Sequence, residues 1–235
     1  ISQNLKKFFL RRISFRKPVS VVCVTTDKCY ENDNSGRAFK ESDPLGGADP
    51  YSASKGACEI AIASYRRSFF ERGSPVVVAS ARAGNVIGGG DWAADRIVPD
   101  AMRAFLSGKT LVVRNRRSTR PWQHVLEPLC GYLMLGVSRQ GGAFNFGPDA
   151  GTVKTVAQLV KELRRVFPNG KVVDRTDPKA PREAKLLSLD SSKAKALLHW
   201  TQKWNFRETI ARTAEWYAQV SGGSVPRRVT DSQIE

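Results

Sequence analysis

Three consecutive segments near the start of this chain leave little choice of architecture. Val19 to Thr26 is a run of β-branched and apolar residues whose period is too short for an amphipathic helix, and it predicts a strand buried on both faces. Tyr51 to about Arg72 is alanine-rich, has one glycine and no proline, and predicts a helix that Gly73-Ser74-Pro75 stops. Val76 to Ala79 then begins a second buried strand. A strand, a helix and a strand in that order predict a parallel sheet with a helical crossover. The alternation continues: a glycine-rich loop from Arg82 to Asp95, a helix over Ile97 to Leu106, a strand over Thr110 to Arg114, a helix over Leu126 to Val137, and a strand over Ala143 to Phe146. The predicted class is α/β, a doubly wound parallel sheet over residues 1–150.

Beyond that point the chain becomes mostly helical. Val156, Leu159, Val160, Leu163 and Val166 fall on one helix face. Val172-Val173 and Leu186 to Leu189 predict short strands, Ser191 and Ser192 a helix cap, and Phe206, Ile210, Ala214 and Tyr217 the apolar face of a last helix. Residues 151–220 are expected to form most of a smaller appended domain, and 221–235 a flexible tail.

Charge narrows the function. The chain carries a formal net charge of +16, which raises the question of nucleic acid. Six of the basic residues lie before Pro18 (Lys6, Lys7, Arg11, Arg12, Arg16, Lys17), and the others are scattered without interleaved aromatic residues. Scattered cations make no stacking platform, so nucleic acid is not an expected partner. No apolar run approaches the roughly 20 residues that span a bilayer, and no membrane is expected either. The cysteines (Cys23, Cys29, Cys58, Cys130) show no metal-ligand spacing, and no metal is expected. Unpaired thiols in apolar stretches, with no secretory signal pattern, suggest a reduced, cytoplasmic setting.

Two clusters carry chemistry. Tyr51 and Lys55, in the string PYSASK, stand at i and i+4 at the start of a helix, hence on one face. An ammonium beneath a phenol stabilises phenolate and makes a usable general base, although the same spacing also arises by chance. At the end of the first strand, Thr26, Asp27 and Lys28 place a hydroxyl, a carboxylate and an amine in succession. Ligands of open α/β sheets bind outside the carboxyl ends of the strands. The bland alternative is a turn-capping aspartate followed by a solvated lysine.

The longer strings decide more. DKCYEN (Asp27 to Asn32), DPLGGADPYSASK (Asp43 to Lys55), ARAGNVIGGGDWAADRIVPD (Ala81 to Asp100), RPWQHVLEPL (Arg120 to Leu129) and LDSSKA near the C-terminus resemble the extended short-chain dehydrogenases/reductases. Within that Rossmann-like family they are most similar to the CDP-glucose 4,6-dehydratases, over about Val19 to Tyr217. The dTDP-glucose enzymes carry Asp-Glu where this chain has Asp27-Lys28. The resemblance implies an NAD-dependent hydro-lyase converting CDP-glucose to CDP-4-keto-6-deoxyglucose, a precursor of dideoxysugars for surface polysaccharide such as lipopolysaccharide O-antigen, and a homo-oligomer. It implies that Tyr51 is the base at the sugar 4-hydroxyl, that Lys55 tunes Tyr51 and meets the cofactor ribose, and that Thr26 holds the 4-oxygen. Asp27 would protonate the departing 6-hydroxyl and Lys28 act at C5. Asn85 and Arg120 would hold the sugar nucleotide, with Arg96 and Arg114 as further candidates of the same kind. His124, within RPWQHV, is expected to be structural, and the Gly88 to Asp91 run a mobile substrate loop.

The chain also departs from that family. No GxxGxxG or GxGxxG follows a strand, so the turn that receives the NAD pyrophosphate is missing. If each absent strand-helix step takes about 30 residues, roughly 100 are lacking ahead of Val19, where Leu5 to Phe15 could be a degraded helix. Arg182 stands in PREA where the family has a histidine. The competing expectations are a sugar-nucleotide epimerase or decarboxylase of the same fold, and an inactive fragment that binds a sugar nucleotide weakly. Asp27 argues against an epimerase, which needs no acid for elimination.

Overall fold

The computed structural model describes residues 18–70, 73–177 and 187–235. The basic N-terminal residues, the expected helix over Leu5 to Phe15 and Arg182 lie outside them. Strand β1 (Val19–Val24), β3 (Val76–Ala83) and β8 (Gly142–Phe146) form a parallel three-stranded sheet in the order β1-β3-β8. Between β1 and β3 come the two-residue strand β2 (Ala38–Phe39) and helix α1 (Pro50–Phe69). Asp49 caps α1 by accepting from the amide of Ser52 at 3.0 Å, and Pro50 opens its first turn, where a missing N–H costs nothing.

Side chains alternate across β3, and that alternation assigns its two faces. Ser80 and Arg82 point toward α1. Ala79 and Ala81 point the other way, into a core with Leu135, Phe144, Phe146, Leu198 and Trp200. Leu135 belongs to α3 (Leu126–Ser138), so α1 and α3 cover opposite faces of the sheet. Phe146 meets Trp200 edge-on at 5.3 Å, and the Trp200 indole donates to the Glu127 carbonyl at 3.1 Å.

A second core joins α2 (Ile97–Leu106), the parallel pair β5 (Thr110–Val113) and β10 (Lys171–Asp174), α4 (Val156–Val166) and α6 (Phe206–Ser221). The two cores interleave along the chain. Residues 97–113 belong to the second, whereas β11 (Ser188–Leu189), which pairs with β2, and α5 (Ser192–Leu198) return to the first. Short strands β4 (Val86–Ile87) with β7 (Gln123–His124), and β6 (Thr119–Pro121) with β9 (Val153–Thr155), join the two parts.

Two local expectations differ from the structure. Pro226–Ile234 is not a tail but a helix, α7; Pro226 starts it, Val229 is buried in the second core, and Thr230 accepts from the Trp216 indole at 2.9 Å. The strand that begins at Val76 runs, as expected, through Arg82 to Ala83, and Ser80 and Arg82 find buried partners on α1. Ser191 stands at the N-cap of α5 but spends its hydroxyl on Gly147, accepting from the amide at 2.8 Å, so it joins β8 to α5 instead of capping. None of the described helices is long and apolar enough to cross a membrane.

Candidate active site

The chain leaves β1 at Val24 and turns at once. Thr26 begins a single 3-10 turn, Asp27–Cys29, with its hydroxyl accepting weakly from the Lys28 amide at 3.4 Å. That turn brings three functional groups within reach of one another. The Thr26 hydroxyl donates to Asp27 Oδ1 at 2.9 Å, and Lys28 Nζ reaches both carboxylate oxygens at 3.4 Å. Asp27 is 3% exposed, while the Lys28 side chain is 38% exposed. Gly84, at the end of β3, lies against the Asp27 carboxylate; a Cβ there would stand 3.2 Å from Oδ2.

Helix α1 packs against this strand-end turn. Gly56 permits that approach, since a Cβ there would fall 3.4 Å from the Cys29 carbonyl oxygen and 3.2 Å from that of Gly46. Tyr51 and Lys55 share one face of α1, with the ammonium 5.4 Å from the centre of the phenol ring. Tyr51 is 55% exposed.

A cleft of about 820 Å³ opens beside these elements, lined among others by Asp27, Lys28, Glu31, Asn85, Arg120 and Leu187. Asp49 and Ser52, on either side of Tyr51 in sequence, also line it, but Tyr51 does not. Residues from three places far apart in sequence, Asp27-Lys28, Asn85 and Arg120, thus meet on one surface. Arg96 and Arg114 stand elsewhere: Arg96 is 3.5 Å from Asp91 and Arg114 3.2 Å from Asp95, both exposed and outside the cleft lining. Such pairs have little energetic value and hold nothing in place. The Gly88 to Asp91 run is packed down on α6. The Tyr217 hydroxyl donates to the Asp91 carbonyl at 2.6 Å, and Trp92 meets the Tyr217 ring edge-on at 5.0 Å.

His124 is walled in. It is 1% exposed, its Nδ1 accepts from the Leu126 amide at 3.3 Å, and Trp204 packs edge-on at 4.7 Å. Burial, with a smaller push from the Arg212 charge, lowers its pKa to about 4. It is neutral at physiological pH and serves packing, not proton transfer. The unfolded chain takes up this proton near pH 6.5 and the folded one only near 4, so stability falls as pH drops through that window. Between pH 7 and 5 the loss amounts to about 2 kcal/mol. Thermal melts at both values should show a clearly smaller drop for His124→Phe; an equal drop would mean that another group carries the acid sensitivity.

A buried group that the sequence reading passed over lies behind the site. Glu59 and Arg82, 2% and 3% exposed, form an ion pair of 2.7 Å. Glu59 also accepts from the hydroxyls of Thr25 and Ser80. Desolvation pushes the Glu59 carboxyl up, but the Arg82 guanidinium and the two hydroxyls outweigh it and hold the pKa below the ordinary carboxylate value. A signal was present: Tyr51, Lys55 and Glu59 stand at i, i+4 and i+8, and Arg82 is the one cation inside an apolar strand.

Known proteins resemble this chain over most of its length. The family model described as GDP-mannose 4,6 dehydratase matches residues 9–213. CDP-glucose 4,6-dehydratase of Salmonella typhimurium is 41% identical over 208 residues, covering 84% of this chain and 58% of that protein. The fold is shared with dTDP-glucose 4,6-dehydratase of Bacillus anthracis, solved with NAD (TM-score 0.72, 22% identity, 87% of this chain and 63% of that one). It is shared also with UDP-N-acetylglucosamine 4-epimerase of Methanobrevibacter ruminantium, solved with UDP-N-acetylmuramic acid (TM-score 0.75, 21% identity, 94% and 69%). The chain therefore spans about three-fifths of the length of the curated relative it matches.

Proposed function

The chain belongs to the GDP-mannose 4,6-dehydratase family of sugar-nucleotide enzymes, and from that premise we propose that it is the catalytic portion of an NAD-dependent CDP-glucose 4,6-dehydratase. The observation that carries the proposal is the convergence of Asp27, Lys28, Asn85 and Arg120 on one cleft. An acid and an amine at the floor of a cleft, with a guanidinium and an amide on its wall, suit a hexose joined to a pyrophosphate.

The roles follow from the chemistry of each group. Tyr51 accepts the proton of the 4-hydroxyl, with the Lys55 ammonium 5.4 Å from its ring centre. Thr26 offers a hydroxyl to the 4-oxygen. The resulting 4-ketone makes the C5 proton acidic, and loss of water across C5 and C6 needs a proton for the leaving hydroxyl. Asp27 supplies it, with Lys28 beside it acting at C5. Arg120 presents a forked cation to the pyrophosphate and Asn85 binds the sugar nucleotide.

Tyr51 and Lys55 fit the ribose end of NAD, since both stand on the first turns of α1 with the phenol open to solvent. When bound, NAD supplies the reversible oxidation of the sugar carbon. The pyrophosphate cradle of glycine-rich backbone is not among these residues. An assay of the whole reaction therefore uses a full-length chimera in which this chain replaces the matching part of the Salmonella typhimurium enzyme. Incubated with CDP-glucose, the chimera should form the 4-keto-6-deoxy product, and do so faster than with dTDP-glucose. Turnover confined to 4-epimerisation, or equal rates on both nucleotides, would refute the proposal.

A further inference from the structure

The buried Glu59–Arg82 pair has no part in the chemistry above, yet its hydrogen bonds lead to the residues that do. One carboxylate gathers three donors, one just past the end of β1 and two on β3: the Thr25 hydroxyl on Oε1, and on Oε2 the Ser80 hydroxyl at 2.8 Å and the Arg82 guanidinium at 2.7 Å. The other arm of Arg82 donates to the Tyr30 hydroxyl at 2.7 Å, and Tyr30 in turn donates to Asn145 Oδ1 of β8 at 2.7 Å. Thr25 and Tyr30 flank the segment Thr26, Asp27 and Lys28. The catalytic turn is therefore tied at both ends to a single ion pair, and one member of that pair, Glu59, lies two turns beyond Tyr51 on the buried side of α1.

Two buried charges are a costly way to join a helix to a sheet; an apolar pair of equal volume often stabilises as well or better. What apolar contacts cannot do is fix direction. Three hydrogen bonds on one carboxylate determine both the rotation of α1 and its height above β1.

We propose that Glu59 and Arg82 are positioning residues that set the tyrosine-lysine face of α1 in register with the Thr26-Asp27-Lys28 turn. The inference rests on the reading that both clusters act on one sugar. It predicts a loss of turnover without loss of binding when the tie to β1 is cut.

Thr25→Val is the gentlest cut, because it keeps the shape of the side chain and leaves the ion pair intact. In the chimera, Thr25→Val should lower kcat by about tenfold to a hundredfold with KM for CDP-glucose within twofold, and Thr25→Ser, which restores the hydroxyl, should recover most of it. In the 235-residue chain itself, hydrogen exchange of the amides from Thr26 to Tyr30 should quicken at least tenfold in Thr25→Val while β3 and β8 amides keep their rates. Unchanged kcat, or a valine defect that serine does not repair, overturns the proposal; so does exchange that is unaltered at 26–30 or raised equally across the sheet. An unsubstituted chimera that leaves CDP-glucose untouched would defeat the function proposed above. The exchange measurement would still decide the positioning role.

Discussion

Tyr51→Phe in the chimera should slow oxidation at C4 by roughly 10²–10⁴-fold, the usual cost of a lost general base, while CDP-glucose still binds. The substitution removes one oxygen from a ring that is 55% exposed, so it opens no cavity and leaves α1 folded. It also leaves Lys55 in place, 5.4 Å from the ring centre. Initial rates of CDP-glucose consumption, with affinity measured separately by titration, separate the two effects. A variant within a few-fold of the parent rate would remove Tyr51 from the chemistry.

Asp27→Asn should act one step later. Asparagine keeps the shape, and the Thr26 hydroxyl can still donate to its amide oxygen, but it has no proton to deliver. Oxidation at C4 then survives while elimination slows, by about 10²-fold or more. The sugar nucleotide should accumulate as the 4-ketone that has not yet lost water, which trapping with borodeuteride would detect as a CDP-hexose one mass unit heavier than the substrate. Lys28→Met should resemble Asp27→Asn and not Tyr51→Phe, because Lys28 Nζ lies 3.4 Å from the same carboxylate. Release of the 4-keto-6-deoxy product at the parent rate by Asp27→Asn would leave the strand-end trio with a positioning role alone.

Most of the fold could be read from local pattern. The strands of the sheet and the helices after them are long enough for periodicity to decide, and Ile97–Leu106 was placed without error. The tail was misread because Gly222, Gly223, Ser224 and Pro226 together look like an unstructured end. Helix α7 forms there because Val229 has a core to enter and Trp216 needs an acceptor, and both partners lie on another helix. Arg96, Arg114 and Arg120 look alike in sequence, but only Arg120 lines the cleft; where the others point depends on Asp91 and Asp95 in a neighbouring loop.

Residue order by itself determined the parallel sheet, the pairing of Tyr51 with Lys55 on one helix face, and the emergence of Thr26, Asp27 and Lys28 at a strand end. Each of these follows from a repeat of two or 3.6 residues, and such repeats act over a few neighbours. Only the tertiary structure decided that Asn85 and Arg120 share a cleft with Asp27, that His124 is sealed in and neutral, and that Glu59 reaches across from α1 to β3 and the end of β1. Those facts depend on placing together residues 21 to 93 positions apart along the chain, where no periodicity reaches and burial alone selects the partner.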